Sequence, residues 1–112
     1  MLSNNFNRFY HGVVLKQVGG LKEIKTDIEY LGRKFIFSPK RLNMDSLKQL
    51  LKAINLQYPR DSKGIPVSTR KIDSVELMQH IEYIIELCGN NGDILPFVAD
   101  EWERIKMEAG II

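Results

Sequence analysis

The hydrophobic pattern of this chain opens with a helix. Apolar side chains near the start recur at helical spacing, which predicts a helix over about residues 5–18 that ends at Gly19-Gly20. The β-branched pair Val13-Val14 and the interior Gly12 lower helix propensity, so a strand is the competing interpretation of this segment.

Between Lys22 and Ser38 the pattern changes from helical spacing to alternation. The alternating positions are Ile24, Thr26, Ile28 and Tyr30, followed after an interruption by Phe35 and Phe37. This pattern predicts two short antiparallel strands that turn near Gly32, and Pro39 ends the second strand.

An amphipathic helix is predicted to begin near Asn43 or Asp45. It carries Leu47, Leu50, Leu51 and Ile54 on one face, with Lys48 and Lys52 on another. Turn-forming residues from Gln57 to Thr69 then predict a loop that can contain a short hairpin.

Two more helices complete the predicted fold. Asp73 and Glu76 form a capping box at the start of an apolar helix that ends at Gly89. Pro96 marks the start of a last helix, which ends before Gly110. We therefore expect a mainly helical α+β fold of about four helices and a small antiparallel β-hairpin, with residues 1–112 forming a single domain.

Charge is distributed unevenly along the chain. Residues 1–72 contain 14 Lys and Arg against 5 Asp and Glu, a local net charge of +9, whereas residues 73–112 contain 2 against 9, a local net of −7. Clustered cations are the electrostatic signature of a protein that binds phosphates. The polarity favours a binding protein over an enzyme.

Several classes of protein are disfavoured by the bulk sequence. The apolar runs are shorter than the ~20 residues of a membrane span, and the first residues show no secretory signal. The single Cys88 cannot form an internal disulfide, and its place in an apolar stripe predicts a buried, inert thiol. His11 and His80 have no partners at ligand spacing, so neither a metal site nor a cofactor is predicted. A nuclease would need clustered carboxylates, which the alternating strand around Lys25 supplies only by chance.

Two separated segments resemble one family. The opening Ser3-Asn4-Asn5-Phe6-Asn7-Arg8 is similar to the Ser-x-x-Gln-Asn-Arg helix of the bacteriophage NinB (Orf) recombination proteins, with Phe6 in place of the Gln. Ser68-Thr69, followed by Glu76, the helix from Leu77 to Leu87 and Gly92, resembles the C-terminal helix of that family. Asp45-Ser46-Leu47-Lys48 resembles its middle helix, while the β segment that precedes the Ser motif in the family is expected to be missing here.

The resemblance implies a phage-encoded accessory of recombination that binds single-stranded DNA without catalysing a reaction. It implies the cytoplasm of the bacterial host as its location and a host recombination or single-strand-binding protein as a partner. Apolar residues left over on the short helices predict a homodimer.

Sequence-tolerant binding of single strands needs cations along a groove and flat side chains on which bases stack. The predicted nucleic-acid-binding residues are Arg8, Arg33, Lys34, Lys40, Arg41, Arg60, Lys63, Arg70 and Lys71. The hairpin and loop clusters of this set flank Phe35, Phe37 and Tyr58 and are expected to form one groove. The alternative interpretation is that the phenylalanines point into the core, the cations are merely solvated and Arg8 pairs with an acid of a later helix.

The acidic last third predicts a docking surface for a partner protein, made by Asp100, Glu101, Trp102 and Glu103. The alternative is a solvated helix face with Trp102 packed on the core. A further functional class is an interaction module or inhibitor from a phage or mobile element that binds a host protein.

Replacing Arg33, Lys34, Lys40 and Arg41 together by Ala is expected to weaken binding to unrelated DNA sequences alike and to flatten its salt dependence, because fewer phosphates are neutralised. Fluorescence anisotropy of labelled oligonucleotides at two salt concentrations measures both quantities. Unchanged affinity and salt slope would refute this assignment.

Overall fold

The computed structural model describes the backbone of residues 4–28, 33–92 and 96–108, and the side chains of residues 7–26, 34–92 and 101–107. Within these ranges the chain forms four helices and a two-stranded sheet, in the order α1, β1, β2, α2, α3 and α4. The predicted mainly helical α+β fold is confirmed. In the described part of the chain, no helix combines the length and apolarity needed to cross a bilayer.

Helix α1 changes its winding in the middle. Asn4–Phe9 and Leu15–Val18 are α-helical, whereas Tyr10–Val14 is a π-helix in which the Leu15 N–H donates to the Tyr10 carbonyl. The strand interpretation of this segment is therefore wrong. Gly12, one of the residues that weaken the helical pattern, lies inside the wider π turn.

The two strands pair antiparallel as predicted. β1 (Ile24–Ile28) lies beside β2 (Arg33–Phe37), with Ile24 opposite Phe37. The expected turn at Gly32 lies outside the described residues. A single 3-10 turn, Pro39–Arg41, follows β2 and leads to α2.

Alternation decides where the side chains of β2 lie. Phe37 is 8% exposed and belongs to the core, whereas Ile36 on the opposite face is 54% exposed. Phe35 is half-buried and packs against the core, and its ring stacks on Phe37 with centroids 5.7 Å apart. The two phenylalanines follow the alternative interpretation, so they supply no open platform for base stacking.

The two middle helices, α2 and α3, each begin with a side-chain N-cap. α2 (Met44–Ile54) begins after Asn43, whose Oδ1 accepts the Ser46 N–H at 2.8 Å. α3 (Ser74–Asn90) begins at the predicted capping box, in which Asp73 and Glu76 each accept the other's backbone N–H, at 2.8 and 3.0 Å. α4 extends over Pro96–Glu108, and its predicted limit, Gly110, lies outside the described residues.

The core forms around α1, which contacts each of the other three helices. Tyr10, Leu15 and Val18 are fully buried, and Phe9 stacks on Trp102 of α4 with ring centroids 5.7 Å apart. Burial of apolar surface supplies the main stabilising free energy. The predicted burial of Cys88 is confirmed by its 0% exposure.

One lysine of α2 is buried. Lys52, which the sequence places on a different face of the helix from the leucines, is 5% exposed. The loop that follows α2 folds back over the end of this helix and covers it.

That loop is a small hairpin, as the sequence allowed. Asp61 N–H donates to Ile65 O at 2.9 Å, and Val67 N–H donates to Pro59 O at 3.1 Å. Gly64 occupies the turn with φ of +80°, a conformation that favours glycine because it has no Cβ.

Asn91 joins the end of α3 to β1, and its replacement by Ala is expected to lower the free energy of unfolding by about 1–3 kcal/mol. Its Oδ1 accepts the Lys25 N–H at 2.8 Å, and its Nδ2 donates to Lys25 O at 2.9 Å and to Leu87 O at 2.8 Å. Urea denaturation measures the change. The matched control Asn90→Ala, at an exposed neighbouring site, is expected to change stability by less than about 0.5 kcal/mol. Equal effects at the two positions would contradict this role of Asn91.

Candidate nucleic-acid interface

A pocket of about 420 Å³ lies where α1, α2 and the end of the loop meet. Its lining is polar and basic, and we call it the basic pocket. It is lined by Asn7, His11, Lys48, Gln49, Lys52, Pro66, Ser68, Thr69 and Arg70. The described lining contains no carboxylate.

Helix geometry brings two of the cations together. Lys48 and Lys52 are four residues apart in α2, so they lie on the same face of the helix. Lys48 is half-buried and Lys52 is almost fully buried. The pair therefore runs from the rim of the basic pocket towards the interior.

The loop is fastened to α2 by Arg60. Its guanidinium donates to the carbonyls of Lys52 and Ala53 at the end of α2, at 3.4 and 2.9 Å, and to Gly64 O at 3.2 Å. These bonds satisfy carbonyls that a helix end leaves free. They also hold the loop against α2, which brings Ser68 and Arg70 to the rim of the basic pocket.

Tyr58 lies beside the Lys52 ammonium. The Lys52 Nζ is 5.5 Å from the centroid of the Tyr58 ring, within the range of a cation–π contact. The Tyr58 hydroxyl donates to Val67 O at 2.8 Å, which fixes the ring. Desolvation, reinforced by the nearby Glu76, raises the pKa of Tyr58 to about 12, so its hydroxyl stays neutral.

The electrostatic potential in the basic pocket is positive. Burial lowers the pKa of Lys52, and Lys48 lowers it further, while Asp45 opposes the shift by a smaller amount. Burial also lowers the pKa of His11, with added contributions from Lys48 and Lys52. Among the side chains that the structure describes, no carboxylate lies within ion-pair distance of Lys48, Lys52 or Arg70.

A buried histidine packs against the Tyr58 ring. His80 is 1% exposed, and its ring meets that of Tyr58 edge to face at 4.7 Å. Asn55 Oδ1 accepts the Gln57 N–H at 3.1 Å, so the Asn55 Nδ2 is the group that donates to His80 Nδ1, at 2.9 Å.

This network leaves the proton of neutral His80 on Nε2, which faces the Tyr10 hydroxyl at 3.4 Å. A second proton on Nδ1 would confront the amide donor of Asn55. Burial, together with the positive charge of Lys52, lowers the pKa of His80 to about 3. His80 is therefore neutral at pH 7 and poorly suited to act as a general acid or base.

A second pocket, of about 380 Å³, is acidic. Glu76, Glu82 and Glu86 line it together with Tyr58 and His80, and it shares no lining residue with the basic pocket. Most of its lining comes from α3. The uneven distribution of charge along the sequence therefore gives two separate pockets in the fold, one lined by cations and the other by carboxylates.

The described ion pairs preserve that separation. They join Lys25 to Glu23, Arg104 to Glu101, and Lys106 to both Glu82 and Glu103. Among the described side chains, no cation of residues 1–72 pairs with a carboxylate of residues 73–112. The predicted ion pair between Arg8 and a later acid is accordingly not found there, and Arg8 is exposed.

The structure does not bring the two predicted cation clusters into one pocket within the described residues. Arg70 lines the basic pocket, whereas Lys34 lines a different one with Lys25 and Asn91. Asn91 joins β1 to the end of α3 beside the pocket of Lys34, and the single groove stays a prediction. Lys40, Arg41, Lys63 and Lys71 are exposed, and the Arg33 side chain lies outside the described part.

One member of the predicted partner surface is corrected. Trp102 is 6% exposed and stacked on Phe9, so it belongs to the core, as in the alternative interpretation. Glu101 and Glu103 are bound by Arg104 and Lys106 respectively, and the Asp100 side chain lies outside the described part.

Sequence reasoning missed the members of the basic pocket other than Arg70. One signal was present in α2, where Lys48 and Lys52 form a like-charge pair at helical spacing, which is destabilising unless an anion compensates it. Asn7 and His11 gave no such signal, because their position depends on how α1 packs against α2.

No protein-family model, curated protein or solved structure matches this chain. In the part of the chain that the structure describes, there is also no group of three or more His, Cys, Asp or Glu residues that would hold a metal ion.

The depressed pKa of His80 predicts that acid destabilises the fold. The unfolded state binds a proton near pH 6.5, whereas the folded state does so only near pH 3, so stability is full above pH 6.5 and falls as the pH drops towards 3. His80 alone is expected to remove roughly 2 kcal/mol of unfolding free energy between pH 7 and pH 5.

Urea denaturation of the wild type and of His80→Gln at the two pH values measures this contribution. The variant is expected to lose most of that pH dependence, and His11→Gln, at a less buried histidine, is the matched control. An undiminished pH dependence in His80→Gln would show that other groups cause the acid sensitivity.

Proposed function

We propose that this protein is a non-enzymatic accessory of phage recombination that binds single-stranded DNA, with the basic pocket as its main phosphate contact. One observation carries the proposal: Lys52 is buried beside Lys48 and Arg70 with no described carboxylate at ion-pair distance. Holding an ammonium on a largely buried side chain without a paired carboxylate is costly, and an anionic ligand reduces that cost.

The remaining cations extend the contact beyond the basic pocket. Lys71 follows Arg70 directly, and Lys63 lies on the tip of the same loop, all three exposed. Contacts of this kind are made to the sugar–phosphate backbone, so they tolerate any sequence. The exposed Arg8 follows Asn7, which lines the pocket, and adds a further cation in the first part of α1.

Two side chains of types that often take part in catalysis, His80 and Cys88, support the non-enzymatic part of the proposal. His80 is neutral, with hydrogen-bond partners facing both ring nitrogens. Cys88 is fully buried on α3. Neither is placed to attack a ligand in the basic pocket.

The similarity of the opening helix to NinB proteins supports a role in recombination. With it we propose a homodimer in the bacterial cytoplasm and a host recombination or single-strand-binding protein as partner. A second candidate function is an interaction module that binds a basic host protein, which the acidic pocket with Glu76, Glu82 and Glu86 favours.

Lys52→Met tests the proposal, because it removes the buried charge and keeps most of the side-chain volume. We expect it to weaken binding to a labelled single strand about tenfold, the loss of one charge-assisted contact, and to flatten the logarithmic salt slope by ~0.7. The free energy of unfolding is expected to stay the same or rise.

The control is Lys16→Met, at an exposed position of α1 that does not line the basic pocket. Its effect on affinity is expected to be small. Wild-type protein that binds no single strand at low salt would refute the function, and salt-insensitive capture of a host protein would support the interaction module instead.

A further inference from the structure

The position of Lys52 limits how a phosphate reaches it. The side chain is 5% exposed, and the Tyr58 ring, fixed by the bond of its hydroxyl to Val67 O, lies beside the ammonium. The ammonium is therefore approached through the basic pocket. A phosphodiester within a strand carries a sugar on both sides. A terminal phosphate carries only one substituent, so it can enter the pocket with its unesterified oxygens directed towards Lys52.

The charge of the lining also distinguishes the two kinds of phosphate. Lys48, Lys52 and Arg70 line the basic pocket, and no Asp or Glu is among its described lining residues. A phosphodiester carries one negative charge, whereas a phosphate monoester carries between about 1.5 and 2 at pH 7. Three cations around one pocket are matched better by the monoester.

Neutral donors complete the lining. Ser68 and Thr69 both line the pocket, and Thr69 is 6% exposed. Ser68 Oγ accepts the Arg70 N–H at 3.3 Å, which leaves its own hydroxyl hydrogen available to donate. Hydroxyl and ammonium donors together suit the additional oxygens of a terminal phosphate.

Asn7 indicates that the ligand of the basic pocket is larger than a phosphate group. It lines the basic pocket, and its Oδ1 is buried without a hydrogen-bond donor among the described residues. Buried acceptors are normally satisfied. A fully ionised phosphate has no hydrogen to give, whereas the hydroxyl of a sugar or the N–H of a base does. The pocket volume of about 420 Å³ also exceeds what a phosphate group fills and lies within the range of small-ligand pockets.

From these features we infer that the basic pocket binds the terminal phosphate monoester of a DNA strand, with the attached nucleoside beside Asn7. This inference rests on the proposed single-strand binding and makes it specific for strand ends. Lys52 contacts the phosphate at the inner end of the pocket, and Lys48 and Arg70 contact it from the rim. The exposed loop cations then follow the strand away from its end.

The test compares short oligothymidylates, because a short strand has few internal phosphates to obscure the end. Three forms of the same labelled eight-nucleotide strand are used, with a 5′-phosphate, a 3′-phosphate or hydroxyl groups at both ends. The full chain is expected to bind one phosphorylated form at least about tenfold more tightly than the unphosphorylated form, since a charge-assisted contact is added. Equal affinity for all three overturns the inference.

Variants separate a binding role from a structural one. Lys52→Met is expected to abolish the preference for the phosphorylated strand, whereas Lys71→Met, next to Arg70 but outside the lining of the pocket, lowers affinity for all forms and keeps the preference. Asn7→Ala is expected to weaken competition by thymidine monophosphate and to leave competition by inorganic phosphate unchanged. Loss of the preference in both lysine variants would assign it to overall charge and would overturn the inference.

The outcomes for the two proposals are distinguishable. Salt-sensitive binding of all three strands without any preference leaves single-strand binding in place and rejects end recognition. Absence of binding to every strand rejects both. Stronger competition by inorganic phosphate than by thymidine monophosphate would identify a site for free phosphate, and it would also overturn end recognition.

Discussion

His80 holds three segments of this protein together. Its two ring nitrogens face Asn55, at the end of α2, and Tyr10 in the π-helical part of α1, while its own backbone belongs to α3. A neutral, fully buried imidazole satisfies one donor and one acceptor at once, which no apolar residue does. This contact links α1 and the end of α2, the two helices that line the basic pocket, through α3.

The same contact separates the charges of the molecule. The basic pocket is built by residues from the first 72 positions and the acidic pocket mainly by α3. The Tyr58 ring, which lines the acidic pocket, contacts both Lys52 and His80. Because the imidazole is uncharged, it neither screens Lys52 nor competes with it for an anion. The positive potential of the basic pocket therefore persists although the net charge of the chain is only +2.

The local pattern was sufficient to predict the helices, the strands and the capping box at Asp73, because spacing and capping are properties of neighbouring residues. The site was predicted only in part. Arg70 was named for its charge, but the burial of Lys52 results from a loop that is clamped to α2 by Arg60 through contacts with backbone carbonyls. Such contacts involve backbone atoms, so they produce no periodic pattern of residue types in the sequence. Trp102 was placed on the surface for a similar reason, since its partner Phe9 is remote in the chain.

The π-helix in α1 holds one more residue between its buried pairs than an ordinary α-helical turn would. Phe9 with Tyr10 and Val14 with Leu15 lie five positions apart, a repeat that matches the wider turn. A methyl group at Gly12 would meet nothing within 4 Å, so side-chain variation is tolerated there. Loss of one residue from this turn would leave the two buried pairs four positions apart, which is the spacing of one face of an ordinary α-helix. The turn is therefore a place where this helix can shorten by one residue and still present the same face to the core.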